Sequence, residues 1–301
     1  MRPPITAILL AIFIHCLWGA NPVAIKFGFL VFPPFWSAFI RFAIAIACIL
    51  FWAHIKKLAI WPEPHEWKFL CWLAAIFGLQ LGVMNSGYAM TDGTVAAVLT
   101  ATYPMFAAVL AHWVFPDDRL TVLKSMGLVV AFFGVGGILI RGNEIGTLAW
   151  IDIGSLVVLI SAALLGARLV YAAKLVRGIE PTRVVLWQMI LSLPFFAILG
   201  VIFEEIHWSA LGPAPVFALL YQGVVIAGFG FMISTYLVRR YSPTVMFSFG
   251  FISPVVGVAL SLWLLDEEFT PAIAVGVAGV ALGLILIAWQ RGRVALVSSS
   301  R

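Results

Sequence analysis

From Ile5 onward the chain is apolar in long unbroken runs, and the polar positions collect between the runs instead of alternating within them. About 20 consecutive apolar residues are what a helix needs to cross a bilayer. The pattern predicts ten such helices, at roughly 5–25, 34–53, 69–90, 94–115, 122–140, 151–172, 184–203, 216–237, 243–264 and 272–289. The expected fold class is therefore an all-α integral membrane protein with ten transmembrane helices. The connections are short, and residues 292–301 are expected to form a tail.

The first run contains its own interruption, "HCLWGANPVAIK" at 15–26. Gly and Pro are poor residues for a helix interior, and His and Asn are costly in apolar surroundings unless partnered. The stretch suits the end of a signal peptide, a turn, or a polar patch inside the membrane. No A-x-A cleavage pattern follows cleanly, and the apolar character continues to Ile25. A retained first helix with a polar patch is expected.

Composition agrees. The chain is 63% hydrophobic and 10% charged, with a mean hydropathy of +1.09. A soluble domain carries about 25% charged residues, so a soluble protein is excluded. Because the apolar runs fill the whole length, so is a surface protein with one anchor. Cys16, Cys48 and Cys71 show no metal or disulfide spacing and are expected to pack as small apolar residues.

The net charge of +5 invites a nucleic-acid partner, but the positions of the basic residues exclude it. With the N-terminus inside, fourteen of the 18 Lys and Arg fall on the cytoplasmic side, from Arg2, Lys56 and Lys57 through Arg239 and Arg240 to Arg291, Arg293 and Arg301. Lys26 and Arg141 fall outside, and Arg41 and Arg168 within spans. That asymmetry is the positive-inside pattern. It places both ends in the cytoplasm.

A shift of 150 residues brings Thr94 onto Thr244, Pro104 onto Pro254, Trp113 onto Trp263 and Asp118 onto Glu268. A shift of 148 brings Lys26 onto Lys174 and Pro33 onto Pro181. Residues 1–145 and 146–291 are thus expected to be two five-helix repeats. Five is odd, so the second would enter the membrane inverted, as in many secondary transporters.

The segments "LWGANPVAIKFG", "GTVAAVLTATYPMFAAVLA" with its "DDRLT" loop, and "FSFGFISPVVGVALSLWLLDEEFTP" resemble the EamA-type branch of the drug/metabolite transporter superfamily. The resemblance covers nearly the whole chain and is closest to bacterial inner-membrane exporters of aromatic amino acids. It implies a ten-helix exporter of small metabolites in a bacterial inner membrane. The alternative from another class is an intramembrane enzyme acting on a lipid or small apolar substrate. That would need a catalytic dyad, and no ATP-binding, zinc-protease or G-x-S-x-G pattern is present. No cofactor or metal is expected, and the protein is not expected to be an enzyme.

All thirteen Asp and Glu fall in loops or at helix ends. Intramembrane carboxylates are the usual proton relays and cation sites. Their absence points to neutral, zwitterionic or weakly anionic substrates. The polar residues that do fall inside spans are His15 and Asn21, Arg41, Gln80 and Asn85, Thr100 and Tyr103, Gln188, and Ser248 and Ser253. Each alone serves as interhelical glue as readily as a ligand; as a set they are expected to converge on one cavity. His15 is either a titrating coupling site or a packed, hydrogen-bonded histidine. Arg41 needs water, a carbonyl or an anion, such as a substrate carboxylate. Trp18, Tyr88, Tyr103 and Trp187 are candidates for an apolar vestibule.

Pro104 and Pro254 lack an N–H at mid-span, so each is expected to kink its helix, with Gly250 adding freedom nearby. They are candidates for a hinge pair, or for static kinks. Helices 5 and 10 carry glycines and no buried charge, and are expected to be scaffold or the contact in a homodimer. The expected partners are a small-molecule substrate and membrane lipid, with the protein a monomer or a homodimer through those two helices.

Overall fold

The computed structural model describes residues 3–115, 119–139, 152–241, 246–247 and 249–297, with side chains omitted at 137–139 and 287–297. Among the described residues there are helices and no strands. The long helices are α1 (Ile5–Phe29), α2 (Pro34–Lys56), α3 (Trp67–Met90), α7 (Ile153–Leu175) and α8 (Pro181–Phe203). Between α3 and α7 come α4 (Gly93–Thr100), α5 (Tyr103–Val114) and α6 (Val122–Leu139). After α8, α9 (Pro213–Leu220) runs through a π-helical stretch at Tyr221–Gly230 into α10 (Phe231–Arg240). α11 (Ile252–Leu264) and α12 (Pro271–Val297) complete the described chain.

Among the described residues, seven helical segments are long and apolar enough to cross a membrane: α1, α2, α3, Gly93–Val114, α7, α8 and Pro213–Arg240. Three shorter apolar helices accompany them, at Val122–Gly136, Phe249–Leu264 and Pro271–Leu286. The chain is a multi-span membrane protein. In a bilayer the backbone must bond internally, which is why apolar runs become helices. Lipid then covers residues such as Phe51, Trp113, Phe133 and Trp263, each at least 69% exposed.

α1 passes unbroken through Gly19, Asn21 and Pro22, so the polar patch lies within one helix. The fourth predicted span, in contrast, is divided. Pro104 cannot donate to the Thr100 carbonyl, and the helix breaks at Ala101–Thr102. The Thr102 hydroxyl turns back to the Leu99 carbonyl at 2.6 Å, satisfying one group freed by the break. Before Pro254 the chain is also irregular, with a 3-10 turn at Phe249–Phe251 leading into α11.

α6 and α12 pair with each other. A Cβ on Gly134 would lie 2.9 Å from the Gly279 Cα, and one on Gly283 2.5 Å from the Ala131 Cβ. These small residues are engaged within the chain, and the large residues of α6, Phe132 and Phe133, point outward. A similar close approach joins α1 to α11, where Gly257 meets Gly19.

Contacts at the loops form two groups, each built from both sides of residue 145. In one, Glu204 accepts from the Phe35 and Trp36 N–H groups, covering the start of α2. Glu267 does the same for α4, from Gly93 at 2.6 Å and Thr94 at 2.8 Å. Anions suit helix N-termini because the backbone N–H groups there have no helical partner. In the other group Arg183 holds Glu66 at 2.9 Å and Arg239 holds Glu180 at 2.8 Å. At α4 the acid could be Glu267 or its neighbour Glu268, which the 150-residue shift aligns with Asp118. Glu267 takes the role, because the loop turns so that its carboxylate, not its neighbour's, meets α4; Asp118 lies outside the described residues.

Asp152 begins α7 and accepts from Gly154 N–H, Ser155 N–H and the Ser155 hydroxyl, and also from the Thr91 hydroxyl at 2.9 Å. Burial pushes its carboxyl up, but the bonds from Ser155, Thr91 and Gly154 outweigh it and hold the group below its usual value. The ionised form is thus favoured in the fold. Its contribution is present at neutral pH and is lost as the pH falls through the depressed folded value. Asp152→Ala is expected to cost about 1–2 kcal/mol at neutral pH, the size of a lost N-cap. The melting-temperature gap to wild type should narrow as the pH is lowered towards about 3. A gap that widens on acidification would overturn the capping role.

Candidate functional site

A cavity of about 1090 Å³, counting its open part, lies among α1–α5, α7, α8, the π stretch, α10 and α11. Neither α6 nor α12 contributes a residue to it. Trp18 and Asn21 reach it from α1, Arg41 from α2, Gln80 and Tyr88 from α3, and Thr100 and Tyr103 from either side of the Pro104 break. Gln188 and Ser253 reach it from beyond residue 145.

Two candidates sit behind this lining. The His15 ring stacks on Trp18 with centroids 5.2 Å apart, and its Nε2 is hydrogen-bonded to the Tyr103 hydroxyl at 3.3 Å. The Ser253 hydroxyl donates to the His15 carbonyl at 2.8 Å. Asn85 accepts from Arg41 Nη2 at 3.3 Å and donates to the Pro34 carbonyl at 2.8 Å. It orients the arginine without lining the cavity.

Trp187 is placed elsewhere. Its indole donates to the Ile60 carbonyl at 2.7 Å, and its ring lies against Trp61 and Trp67. Successive helical residues point about 100° apart, so with Gln188 turned inward Trp187 faces the 57–66 loop. Ser248 lies outside the described residues. The three hinge candidates are not part of the lining, but two of them touch: a Cβ on Gly250 would be 3.4 Å from Pro104 and 3.3 Å from the Tyr103 hydroxyl.

Several cavity residues were missed by sequence reasoning, among them the polar Arg168, Gln222, Ser234 and Thr235. Arg168 was counted only for topology, although a second arginine within a span is as costly as the first. Gln222 had no visible signal beyond being a lone amide in an apolar run. It accepts from Arg41 Nη1 at 3.2 Å and donates to the Ala24 carbonyl at 3.0 Å. The π stretch that carries it has hydrogen bonds spaced one residue wider than an α-helix, a feature often found at functional sites.

The cavity thus combines rings, amides and guanidinium groups, and among the described residues no Asp or Glu lines it. A family model described as the EamA-like transporter family matches residues 5–140 and 152–289. The chain belongs to the EamA-like transporter family. Among relatives, it is 25% identical to the "Uncharacterized transporter YoaV" of Bacillus subtilis (strain 168), covering 90% of this chain and 92% of that protein. It is 26% identical to the "Uncharacterized inner membrane transporter YedA" of Escherichia coli (strain K12), covering 95% of this chain and 89% of that one. A solved crystal structure shares the fold, with a TM-score of 0.76 at 16% identity over 97% of this chain and 99% of the other.

For an EamA-like transporter, the arrangement separates roles by position. The paired helices α6 and α12 stand apart from the cavity, whereas the broken helices around Pro104 and Pro254 border it. The polar residues facing inward are partnered mainly by neutral amides and carbonyls. Such a lining can bind and orient an anionic or amide-bearing solute; nothing in it supplies a negative charge for a cation.

Proposed function

We propose that the protein is a secondary transporter that exports amino acids, aromatic or other neutral ones, or related small metabolites from the cytoplasm. It works by alternating access between two inverted five-helix halves, residues 1–145 and 146–291. The ten helices cross a bacterial inner membrane with both ends, and the 292–301 tail, in the cytoplasm. The name of the Escherichia coli relative, an uncharacterized inner membrane transporter, supports that location. The protein is a carrier and not an enzyme, acting as a monomer or as a homodimer through the outward faces of α6 and α12.

One observation carries this reading. The cavity draws residues from both halves and presents Arg41, 3% exposed and hydrogen-bonded to the amides of Gln222 and Asn85. A substrate carboxylate is the partner its planar fork suits. Trp18, Tyr88, Tyr103 and Phe231 give the apolar surface for a side chain. Pro104, Gly250 and Pro254 are the points at which the halves bend.

The test is flux of radiolabelled amino acids in proteoliposomes, with and without a pH gradient. Wild type is expected to move at least one of them, and a need for the gradient would assign proton coupling to His15. Arg41→Gln should lower that flux about tenfold or more, the loss of one charge-assisted contact. The matching amino-acid amide should be affected less. No flux of any amino acid by monodisperse protein would overturn the reading; equal losses for acid and amide would remove the carboxylate contact.

A further inference from the structure

Among the described residues, the cavity is lined by two arginines and no acid. Arg41 and Arg168 both line it, with exposures of 3% and 4%. One comes from each side of residue 145. Each donates only to neutral amides: Arg41 to Gln222 and Asn85, and Arg168 Nη1 to Gln188 Oε1 at 3.2 Å. The Nε atoms of both are buried without a partner. None of the described helices contains an Asp or Glu. Two buried guanidinium groups therefore face one space with no opposite charge, which is costly unless something else supplies it.

Between them stands a wall of rings. The Arg41 Cζ lies 4.7 Å from the Phe42 ring centroid, and Phe42 lies 4.9 Å from Phe77. On the far side, the Arg168 Cζ lies 5.0 Å from Phe77 and 5.5 Å from Phe231. The rings steady the guanidinium planes by cation–π attraction. Phe42 and Phe231 also line the cavity and present apolar surface there, with Phe77 buried behind them. Nearby, Asn21 Oδ1 and Gln80 Oε1 are buried acceptors without a donor.

We propose that the cavity is a two-point anion site for a dicarboxylic amino acid or a related diacid. Arg41 takes one carboxylate and Arg168 the other. The carbon chain between them lies against Phe42 and Phe231, and an N–H donor on the solute meets Asn21 and Gln80. A diacid neutralises both arginines, whereas a neutral amino acid leaves one of them unpaired. The proposal rests on the transporter reading and moves its substrate class from neutral to acidic amino acids and related diacids. It assigns to Arg168 a binding role that charge counting alone does not suggest.

The experiment measures affinity, by thermal stabilisation of the full chain in detergent, for matched pairs: L-glutamate against L-glutamine, and L-2-aminosuberate against L-2-aminooctanoate. In wild type at least one diacid is expected to bind about tenfold or more tightly than its neutral partner, about 1.4 kcal/mol. Arg168→Gln should bring that ratio to about one, and Arg168→Lys, which keeps the charge but loses the fork, should retain part of it. Neutral partners that bind wild type as tightly as the diacids would overturn the site, whether or not the variants fold. So would a folded Arg168→Gln that keeps the full preference. Flux in proteoliposomes separates this from the parent reading. Neutral amino acids carried with no diacid preference would remove the two-point site and leave the transporter. Diacids bound through both arginines but never carried would leave the site and remove the transporter.

Discussion

Gly257→Leu is expected to abolish the assembled protein. Gly257 lies where α11 crosses α1, and a Cβ there would sit 2.6 Å from the Ala97 Cβ and 2.8 Å from the Gly19 carbonyl oxygen. Real Cβ atoms do not approach so closely. One of the two neighbours is backbone, so it cannot swing aside as a flexible side chain would. The reverse view is the same: a Cβ on Gly19 would lie 2.8 Å from the Ser253 carbonyl oxygen. Small residues let membrane helices come this near, and dispersion and weak polar contacts then hold them without help from water.

A leucine would force α1 and α11 apart. Overpacking in a flexible core costs about 1–3 kcal/mol, and a backbone-to-backbone contact belongs at or above the top of that range. The same crossing carries Asn21 and Ser253, so any separation also reshapes the cavity. The check is the yield of monodisperse protein on size exclusion, with melting temperature for whatever survives. Gly257→Ala, which adds only the Cβ, should lie between wild type and Gly257→Leu. Wild-type yield and melting for Gly257→Leu would mean that the two helices do not cross as described.

The ordering of these effects reflects what a membrane sequence makes visible. The described helices follow the apolar runs, because the bilayer leaves the backbone one way to satisfy itself, although α12 continues past its run through Arg291 and Arg293 to Val297. The break at Ala101–Thr102 was legible in Pro104, whose missing N–H acts locally. The pairing of α6 with α12 was foreshadowed by their glycines, though whether those faces serve one chain or two is a matter of partners, and sequence spacing is silent on that. The π stretch at Tyr221–Gly230 was not legible. Its wider turns depend on what lies opposite, with Gly223 against Ile44 and Gly230 against Trp18, and these contacts are far apart in the chain.

The candidate site divides in the same way. Asn21, Arg41, Gln80 and Gln188 announced themselves as polar groups in apolar runs, and the structure brings them to one cavity. Arg168 carried an equal signal that topology counting absorbed. Trp187 shows the opposite case. An aromatic in a chain with 14% aromatic residues has many possible faces, and only the turn of α8 settles which one it takes.

Gly250→Val is expected to separate binding from transport. Gly250 stands in the 3-10 turn before α11, and its missing side chain leaves room for three groups at once. A Cβ there would lie 3.3 Å from the Tyr103 hydroxyl, 3.4 Å from the His15 ring and 3.4 Å from Pro104. These distances are tight without being forbidding, so the resting fold can absorb the change by shifts of a few tenths of an ångström. Any motion in which the two broken helices slide or bend past each other must pass through that gap. Valine adds two methyl groups to it and stiffens its own backbone, since a β-branched side chain restricts its χ1 and disfavours tight turns. Substrate binding to Gly250→Val should stay within about threefold of wild type, while flux in proteoliposomes falls about tenfold or more. Loss of both together would make Gly250 a packing position only. Unchanged flux would show that the crossing of the two breaks does not move during transport, and would leave Pro104 and Pro254 as static kinks.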